Sequence, residues 1–291
     1  MTPGQEQGQA PDDANDLRGQ FFGQLIRRPL TLALVLGLSL AVAIAAGALL
    51  GPAIGGAAFV VAILIGVGIV FAIADSRAAD AFFGVYAGQH GYALAGRSSL
   101  PAATPLLRKG DDRYAERTLT GELAPGIGGM LALYTYEEET TDSEGNRQTS
   151  YYHYTVGLVQ VPECVEHVPE LYCQRKFGLR ALEGLEDVFR RSKERVKLES
   201  EALDEKFEIF VGKGQDEIWL RRLFAPTFIV WLTDSAPKKF AFELVDGTLC
   251  CYVNDHKESA EELDMVAAAT GSVAARLREE SGETSPRAVP S

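Results

Sequence analysis

The sequence predicts a membrane protein in which a two-helix transmembrane hairpin precedes a soluble α+β domain with a mostly antiparallel sheet. Residues 30–74 contain no Asp, Glu, Lys, Arg or His, and Gly51-Pro52 divides them into two halves. Each half has on the order of 20 residues, which at ~1.5 Å rise per residue matches a hydrocarbon core of ~30 Å. Beyond residue 113, apolar and polar residues alternate in several stretches, as is typical of strands.

These patterns divide the chain into consecutive segments: a disordered tail (1–16), a juxtamembrane segment (17–29), transmembrane helices 1 (30–51) and 2 (53–74), a helix and linker (75–112), the α+β domain (113–280) and a disordered tail (281–291). The N-terminal tail is rich in Gln, Gly, Pro and Asp and has almost no large apolar side chains, which favours disorder. Leu17, Phe21 and Leu25 have helical spacing, which indicates a short interfacial helix before the membrane.

The arginines that flank the apolar segments predict their orientation. Arg18, Arg27 and Arg28 precede the first segment and Arg77 follows the second, whereas the turn between them has no charge. Because Lys and Arg favour the cytoplasmic side, we expect a multi-pass protein of a bacterial inner (plasma) membrane with both termini in the cytoplasm. The alternatives are a cleavable signal peptide or a twin-arginine export signal. Both are disfavoured because the first apolar run is long and a second one follows at once.

The charge of the chain bears on its partners. The formal net charge is -12, and beyond residue 77 the chain has 24 Lys and Arg against 35 Asp and Glu. Such a surface repels nucleic acid, so we expect no nucleic-acid partner. A cytoplasmic location also predicts that the four cysteines are free thiols, because that compartment is reducing.

Small residues recur every fourth position in both apolar segments, at Ala33, Gly37, Ala41 and Ala45 in the first and at Ala58, Ala62 and Gly66 in the second. Such rows allow close approach of two helices, either within the hairpin or between copies of the chain in an oligomer. The tight turn favours packing within the hairpin. Since neither segment carries an ionisable side chain, the hairpin is expected to be an anchor and not a channel or transporter.

The α+β domain is predicted from local patterns. Residues 117–161 are expected to form strands around a long, acidic hairpin tip, and residues 171–177 another strand, followed by a helix at 181–191. Further strands are predicted at 195–198 and 207–211, and helices at 216–224 and 227–233. Asp246-Gly247 is a strong turn signal between strands 240–245 and 248–253. Ser259 and Glu262 have the spacing of a capping box for a last helix that ends near Glu280.

The blocks 195–232 and 240–254 resemble a bacterial membrane-associated family that is known only as a domain of unknown function. The shared elements are the V-x-L-E-S stretch (Val196, Leu198, Glu199, Ser200), the aromatic strand (Phe207, Phe210), the helix break (Leu223, Phe224, Pro226, Phe228) and the V-D-G-x-L hairpin (Val245 to Leu249). The resemblance implies two N-terminal transmembrane helices and a cytoplasmic α+β domain. It implies no activity, ligand or site residue.

The best candidate for ligand or partner binding is Trp219 with Arg221 and Arg222 on a predicted amphipathic helix. Arginines stacked on the indole could grip a phosphate or an acidic partner. The alternative is a solvated helix face, which is the more common role of such a pair.

A metal site is not expected, and the weak candidate for one is Cys164 with His167 and Cys173. Zinc favours thiolate and imidazole ligands, but this spacing fits no usual pattern and a fourth ligand is missing. Cys250 and Cys251 lie in a predicted strand, so one side chain is expected to face the core and the other to face outward. No cofactor motif is present, and His90, His153 and His256 stand isolated in the sequence.

These observations predict a non-catalytic role. We expect a membrane-tethered binding or scaffolding module whose cytoplasmic domain takes a protein or a small ligand, with oligomerisation through the small-residue rows as a further option. The alternative is a membrane-anchored enzyme of unrecognised type that uses His153 or Cys164 among the abundant carboxylates.

Overall fold

The computed structural model describes residues 13–176 and 193–284 and confirms two long apolar helices followed by an antiparallel sheet domain. The chain forms two compact units. The first contains the described residues up to Gln89 together with Glu258–Ala260, and the second contains the described residues from His90 to Lys257 and from Glu261 onward.

Three helices make up most of the first unit: α1 (Ala14–Ile26), α2 (Pro29–Leu50) and α3 (Pro52–His90). The latter two are long and apolar enough to cross a membrane. The juxtamembrane helix begins at Ala14, within the segment predicted as a disordered tail. The helix expected after residue 74 is present and forms one continuous helix with the second apolar segment as far as His90, since residues 75–90 contain no Pro to interrupt it.

Helices α2 and α3 face each other through small residues. The row predicted for this contact in α2 is not the one observed, whereas the row predicted in α3 is consistent with it. In α2 the row that turns towards α3 contains Val35, Ser39, Ala43 and Gly47, whereas the predicted row from Ala33 to Ala45 is exposed. In α3 the predicted row is half-buried, and a Cβ at Gly66 would lie 2.8 Å from Val35 Cγ1. A Cβ at Gly55 would lie 2.9 Å from Gly47 Cα, so close approach of the helices requires glycine there.

Nine strands form one sheet in the described part of the second unit: β1 (Ala93–Ala95), β2 (Asp112–Ala124), β3 (Ile127–Thr141), β4 (Arg147–Gln160), β5 (Glu170–Arg175), β6 (Lys193–Val196), β7 (Phe207–Gly212), β8 (Ala241–Val245) and β9 (Thr248–Asn254). Their spatial order is β1-β2-β3-β4-β9-β8-β5-β7-β6, and all the pairings are antiparallel. The predicted hairpins at the acidic tip and across Asp246-Gly247 are confirmed as β3-β4 and β8-β9.

Residues 91–110, predicted as a linker, belong to the sheet domain. Strand β1 pairs with β2, and Ser98 forms a further bridge with Ala115. The four-residue helix α4 (Pro105–Arg108) buries Leu106 and Leu107 against the sheet. The Pro and Gly residues of this segment are typical of a linker, which is why a linker was predicted. The contacts with the sheet join residues that are distant in sequence, so no local pattern indicates them.

The remaining helices are short except the last: α5 (Glu201–Lys206), α6 (Glu217–Leu223), α7 (Pro226–Val230), which continues as a π-helix (Trp231–Ser235), and α8 (Ala260–Thr284). Helix α5 was not predicted, although Ser200 caps it by accepting a hydrogen bond from Leu203 N. Helix α8 extends past Glu280 to Thr284, so the first residues of the predicted C-terminal tail are helical. The helix predicted at 181–191 lies outside the described residues.

Helix α8 packs on one face of the sheet. A Cβ at Gly157 in β4 would lie 2.9 Å from Thr270 Cβ, so only glycine allows the helix this close. Cys251 points to the same helix and Cys250 to the opposite face, and both are fully buried. The prediction that one of the two cysteines faces outward is therefore wrong, because β9 is covered on both of its faces.

The opposite face of the sheet carries a cluster of tyrosines beneath α4. Tyr134, Tyr136, Tyr154 and Tyr252 are all buried there with Leu106 and Leu107. The cluster encloses Glu243, whose Oε2 accepts a hydrogen bond from Leu106 N at 3.1 Å. Tyr252 OH donates to Glu243 Oε1 at 3.4 Å, so both carboxyl oxygens have a partner.

Candidate functional site

A group of polar side chains converges on the face of β3 that is opposite to the tyrosine cluster. Glu116 comes from β2, Thr135 from β3, His153 from β4 and His256 from the segment after β9. We call these four residues the histidine cluster.

The backbone explains why these residues meet. Glu116 lies in a register shift between Ala115 and Arg117, and such a bulge re-aims the side chain of the extra residue. Thr135 and His153 are directly paired across β3 and β4, which places their side chains on one face. Asp255 has φ of 68° and donates its N–H to His153 O at 2.8 Å, and this turn brings His256 back over the sheet.

Hydrogen bonds orient both imidazole rings. Thr135 Oγ1 lies 3.0 Å from His153 Nδ1 and 3.2 Å from His256 Nε2. His256 Nε2 also lies 3.2 Å from the carbonyl oxygen of Tyr134. Because a carbonyl only accepts, this contact requires the proton of a neutral His256 on Nε2, which leaves Nδ1 with its lone pair. His256 Nδ1 faces Glu116 Oε2 at 3.9 Å.

The electrostatics of the histidine cluster follow from its partial burial. Burial lowers the pKa of His256 below its ordinary value, the carboxylate of Glu116 opposes that shift, and His153 adds to it. The two rings lie edge to face with centroids 4.7 Å apart. A mostly neutral imidazole beside a carboxylate can accept a proton or bind a cation through its free nitrogen.

The histidine cluster is the part of the described chain with the donor set for a metal ion. One nitrogen of each imidazole and one carboxylate oxygen of Glu116 all lie within 4.8 Å of one another, and no other trio of His, Cys, Asp or Glu in residues 13–176 and 193–284 does so. Glu116 and His256 are half-buried and His153 is exposed.

The residues predicted for ligand or partner binding do not form one surface. Trp219 is fully buried and stacks on His167, with ring centroids 5.8 Å apart, and not on an arginine. Arg222 turns to the buried carboxylate of Glu280, with Nη2 3.1 Å from Oε2. Arg221 is the most exposed member of the predicted trio and lies 3.5 Å from Glu199 Oε1. The stacked arrangement expected for phosphate binding is therefore not formed.

Cys164, His167 and Cys173 also do not converge. Cys164 is buried, and its Sγ donates to the carbonyl oxygen of Val161 at 2.9 Å. Burial raises the pKa of the Cys164 thiol to about 12 and that of Cys173 still further, so neither is a ready thiolate. His167 is held by the stack on Trp219. Among the described residues, these three side chains therefore do not form a common ligand set.

The prediction that His90, His153 and His256 are isolated is wrong. His153 and His256 meet in the histidine cluster, and His90 Nε2 lies 3.1 Å from Asp264 Oδ1. His90 and Asp264 line a shallow cleft of about 500 Å³ together with Tyr92 and Glu122. More than a hundred residues separate His256 from His153 and Asp264 from His90, so no local motif reveals these pairs. The alternating strand pattern around His153, which places it opposite Thr135, was the one available signal.

Comparison of the chain with protein-family models, with curated proteins and with solved structures finds no match. The resemblance of blocks 195–232 and 240–254 to a membrane-associated family is thus not supported by a family model.

Proposed function

We propose that this chain is an integral membrane protein whose two apolar helices tether a binding domain to the cytoplasmic face of a bacterial inner membrane. The observation that carries the proposal is the exposure of α2 and α3. Most of the exposed large apolar side chains in the described chain lie between Leu30 and Ile73, and Leu49 is 82% exposed. An exposed apolar surface of this size needs a membrane or a partner to cover it.

Two other interpretations of the apolar helices fit less well. The core helix of a water-soluble protein is mostly buried. In the most apolar 18-residue stretches of α2 and α3, only 6% and 11% of the residues are buried. A signal peptide accounts for one apolar run near the N-terminus but not for a second one that is paired with it. Ser39 is the single polar side chain enclosed in α2, and its hydroxyl donates to Val35 O at 2.6 Å, as a membrane interior requires.

The charges around the helices support the cytoplasmic orientation of both ends. Arg18 forms ion pairs with Asp75 and Glu258, while Arg27 and Arg28 are exposed at the entry to α2. The turn at Gly51 has no charge to translocate. Two crossings then return the chain to the side on which it began, in agreement with the positive-inside bias.

Binding is favoured over catalysis as the role of the domain. Of the two residues that the enzyme alternative relied on, Cys164 is buried and protonated, and only His153 is accessible. The histidine cluster offers a base and a donor set but no nucleophile beyond the Thr135 hydroxyl, which is already engaged by both rings. Oligomerisation through the exposed row of α2 remains a prediction, which cross-linking at Gly37 would test.

Topology reporters test the tether. A reporter active only in the cytoplasm should be active at the C-terminus, and one active only outside should be active when inserted at Gly51-Pro52. The protein should also stay in the membrane after alkaline extraction. An external C-terminus, or release by alkali, would contradict the proposal. Pull-downs that return no reproducible partner, with a purified chain that binds no ligand, would contradict the binding role.

A further inference from the structure

The histidine cluster has the composition of a transition-metal site. Two imidazoles and one carboxylate form a common ligand set of zinc sites that keep a further position open. Imidazole nitrogen favours zinc and its neighbours in the first transition series over Mg²⁺ and Ca²⁺, which prefer sites made of oxygen ligands. The chemistry of Glu116, His153 and His256 therefore selects the class of ion.

The spacing of these side chains is close to that of a bound site. Ligand atoms at about 2.0–2.2 Å from a tetrahedral zinc ion lie about 3.3 Å from one another. The three atoms of the cluster already lie within 4.8 Å, so each separation has to shrink by about 1.5 Å at most. Exposed His153 and half-buried Glu116 can make this adjustment by side-chain rotation, while the ring of His256 is held in place.

Hydrogen bonds behind the rings already have the arrangement that a metal site needs. Metal-binding histidines usually donate their second N–H to a backbone carbonyl, a carboxylate or another fixed acceptor, which orients the ring. The single N–H of His256 Nε2 is shared between Tyr134 O and Thr135 Oγ1, and the hydroxyl oxygen of Thr135 has a second lone pair that can accept from His153 Nδ1. In this arrangement the other nitrogen of each ring keeps its lone pair.

The positions of the ligands give the site a rigid frame and an entrance. Glu116, His153 and Thr135 lie on three adjacent strands, β2, β4 and β3. Thr135 is fully buried behind the rings, whereas His153 is exposed to solvent. An ion that enters from solvent thus meets His153 first and is backed by fixed hydrogen bonds.

We propose that Glu116, His153 and His256 bind one divalent transition-metal ion of the zinc class, with Thr135 as the residue that positions both imidazoles. The fourth position is open to water or to a donor atom of a bound ligand. This metal site goes beyond the proposed role as a membrane-tethered binding module, and it does not depend on whether α2 and α3 cross a membrane.

Metal titration of the full chain tests this inference. The protein is purified in detergent without a polyhistidine tag, treated with chelator and titrated with Zn²⁺ by calorimetry and with Co²⁺ by visible absorption. The expected result is one saturable ion per chain, with the absorption bands of Co²⁺ in a nitrogen and oxygen environment and displacement of Co²⁺ by Zn²⁺.

Variants locate the site. His153→Gln replaces an exposed ligand and should weaken Zn²⁺ binding by at least about tenfold without unfolding the chain, and Thr135→Val should weaken it by about tenfold through loss of ring orientation. The matched control is His90→Gln, which removes another histidine that lies beside a carboxylate and should leave binding unchanged. Absence of saturable binding, or equal loss in His90→Gln and His153→Gln, would overturn the inference. Because binding is measured in detergent and topology in cells, failure of one proposal is distinguishable from failure of the other.

Discussion

The buried carboxyl of Glu243 should make the stability of the sheet domain depend on pH. Burial raises the pKa of Glu243 to about 7, against the hydrogen bonds from Leu106 N and Tyr252 and the charge of Arg108. A group whose pKa is higher in the folded than in the unfolded state stabilises the fold fully below its unfolded pKa. This contribution is lost as the pH rises through the folded value.

The size of the effect follows from the two pKa values. With 4.5 for the unfolded chain and about 7 for the folded one, linkage makes the free energy of unfolding about 2–3 kcal/mol lower at pH 8 than at pH 5. Glu243→Gln removes the ionisation but keeps an oxygen that can accept from Leu106 N. Between pH 5 and pH 8, the free energy of unfolding of the variant should therefore rise by about 2–3 kcal/mol relative to that of the unsubstituted chain.

Denaturant unfolding at several pH values measures this difference. Both tryptophans of the chain, Trp219 and Trp231, lie in the sheet domain, so indole fluorescence reports its unfolding in the detergent-solubilised full chain. Glu139→Gln is the matched control, because it removes an exposed carboxylate from β3. Parallel pH profiles for the unsubstituted chain, Glu243→Gln and Glu139→Gln would refute the reasoning.

Three further perturbations test the packing. Gly157→Ala should destabilise the sheet domain by about 1–3 kcal/mol because its Cβ overlaps Thr270. Gly128→Ala in β3 meets nothing within 4 Å and should destabilise the domain less, which urea unfolding of both variants measures. All four cysteines are buried, so a thiol reagent should label the native chain slowly and label all four thiols in denaturant; rapid labelling of the native chain would contradict this packing. Gly55→Leu should separate α2 from α3 and lower the melting temperature of the detergent-solubilised hairpin, whereas Gly56→Leu, with open space around it, should not; equal effects would rule out the Gly47–Gly55 contact.

The elements that the sequence predicted well are those whose signal is local. The apolar segments around Gly51-Pro52 and the hairpin across Asp246-Gly247 each depend on a short stretch of chain, and the helices and strands expected there are present. Helix α8 was also predicted, with its start near Ser259. In each case the turn residues and the periodic spacing of apolar residues indicate the same element.

The features that were missed depend on contacts between distant residues. The row of α2 that faces α3 differs from the predicted row by two positions, or about 200° around the helix, because apolar residues surround α2 and give its sequence no preferred face. Cys250 and Cys251 are both buried because α8 and the tyrosine cluster cover opposite faces of β9. Strand alternation cannot reveal a strand that is covered twice.

The histidine cluster lies where the sheet stops being covered on both of its faces. Along β4, residues 154–159 are buried without interruption, whereas His153 is the first exposed residue before them. Its cross-strand partner Thr135 is still buried, so the pair lies at the boundary between the packed sheet and solvent. A polar group deeper in the sheet would need a dedicated partner, as Glu243 does, and one further out would be free to rotate. At this boundary, two histidines can be both oriented from behind and reached from outside, which is the combination that binding an ion requires.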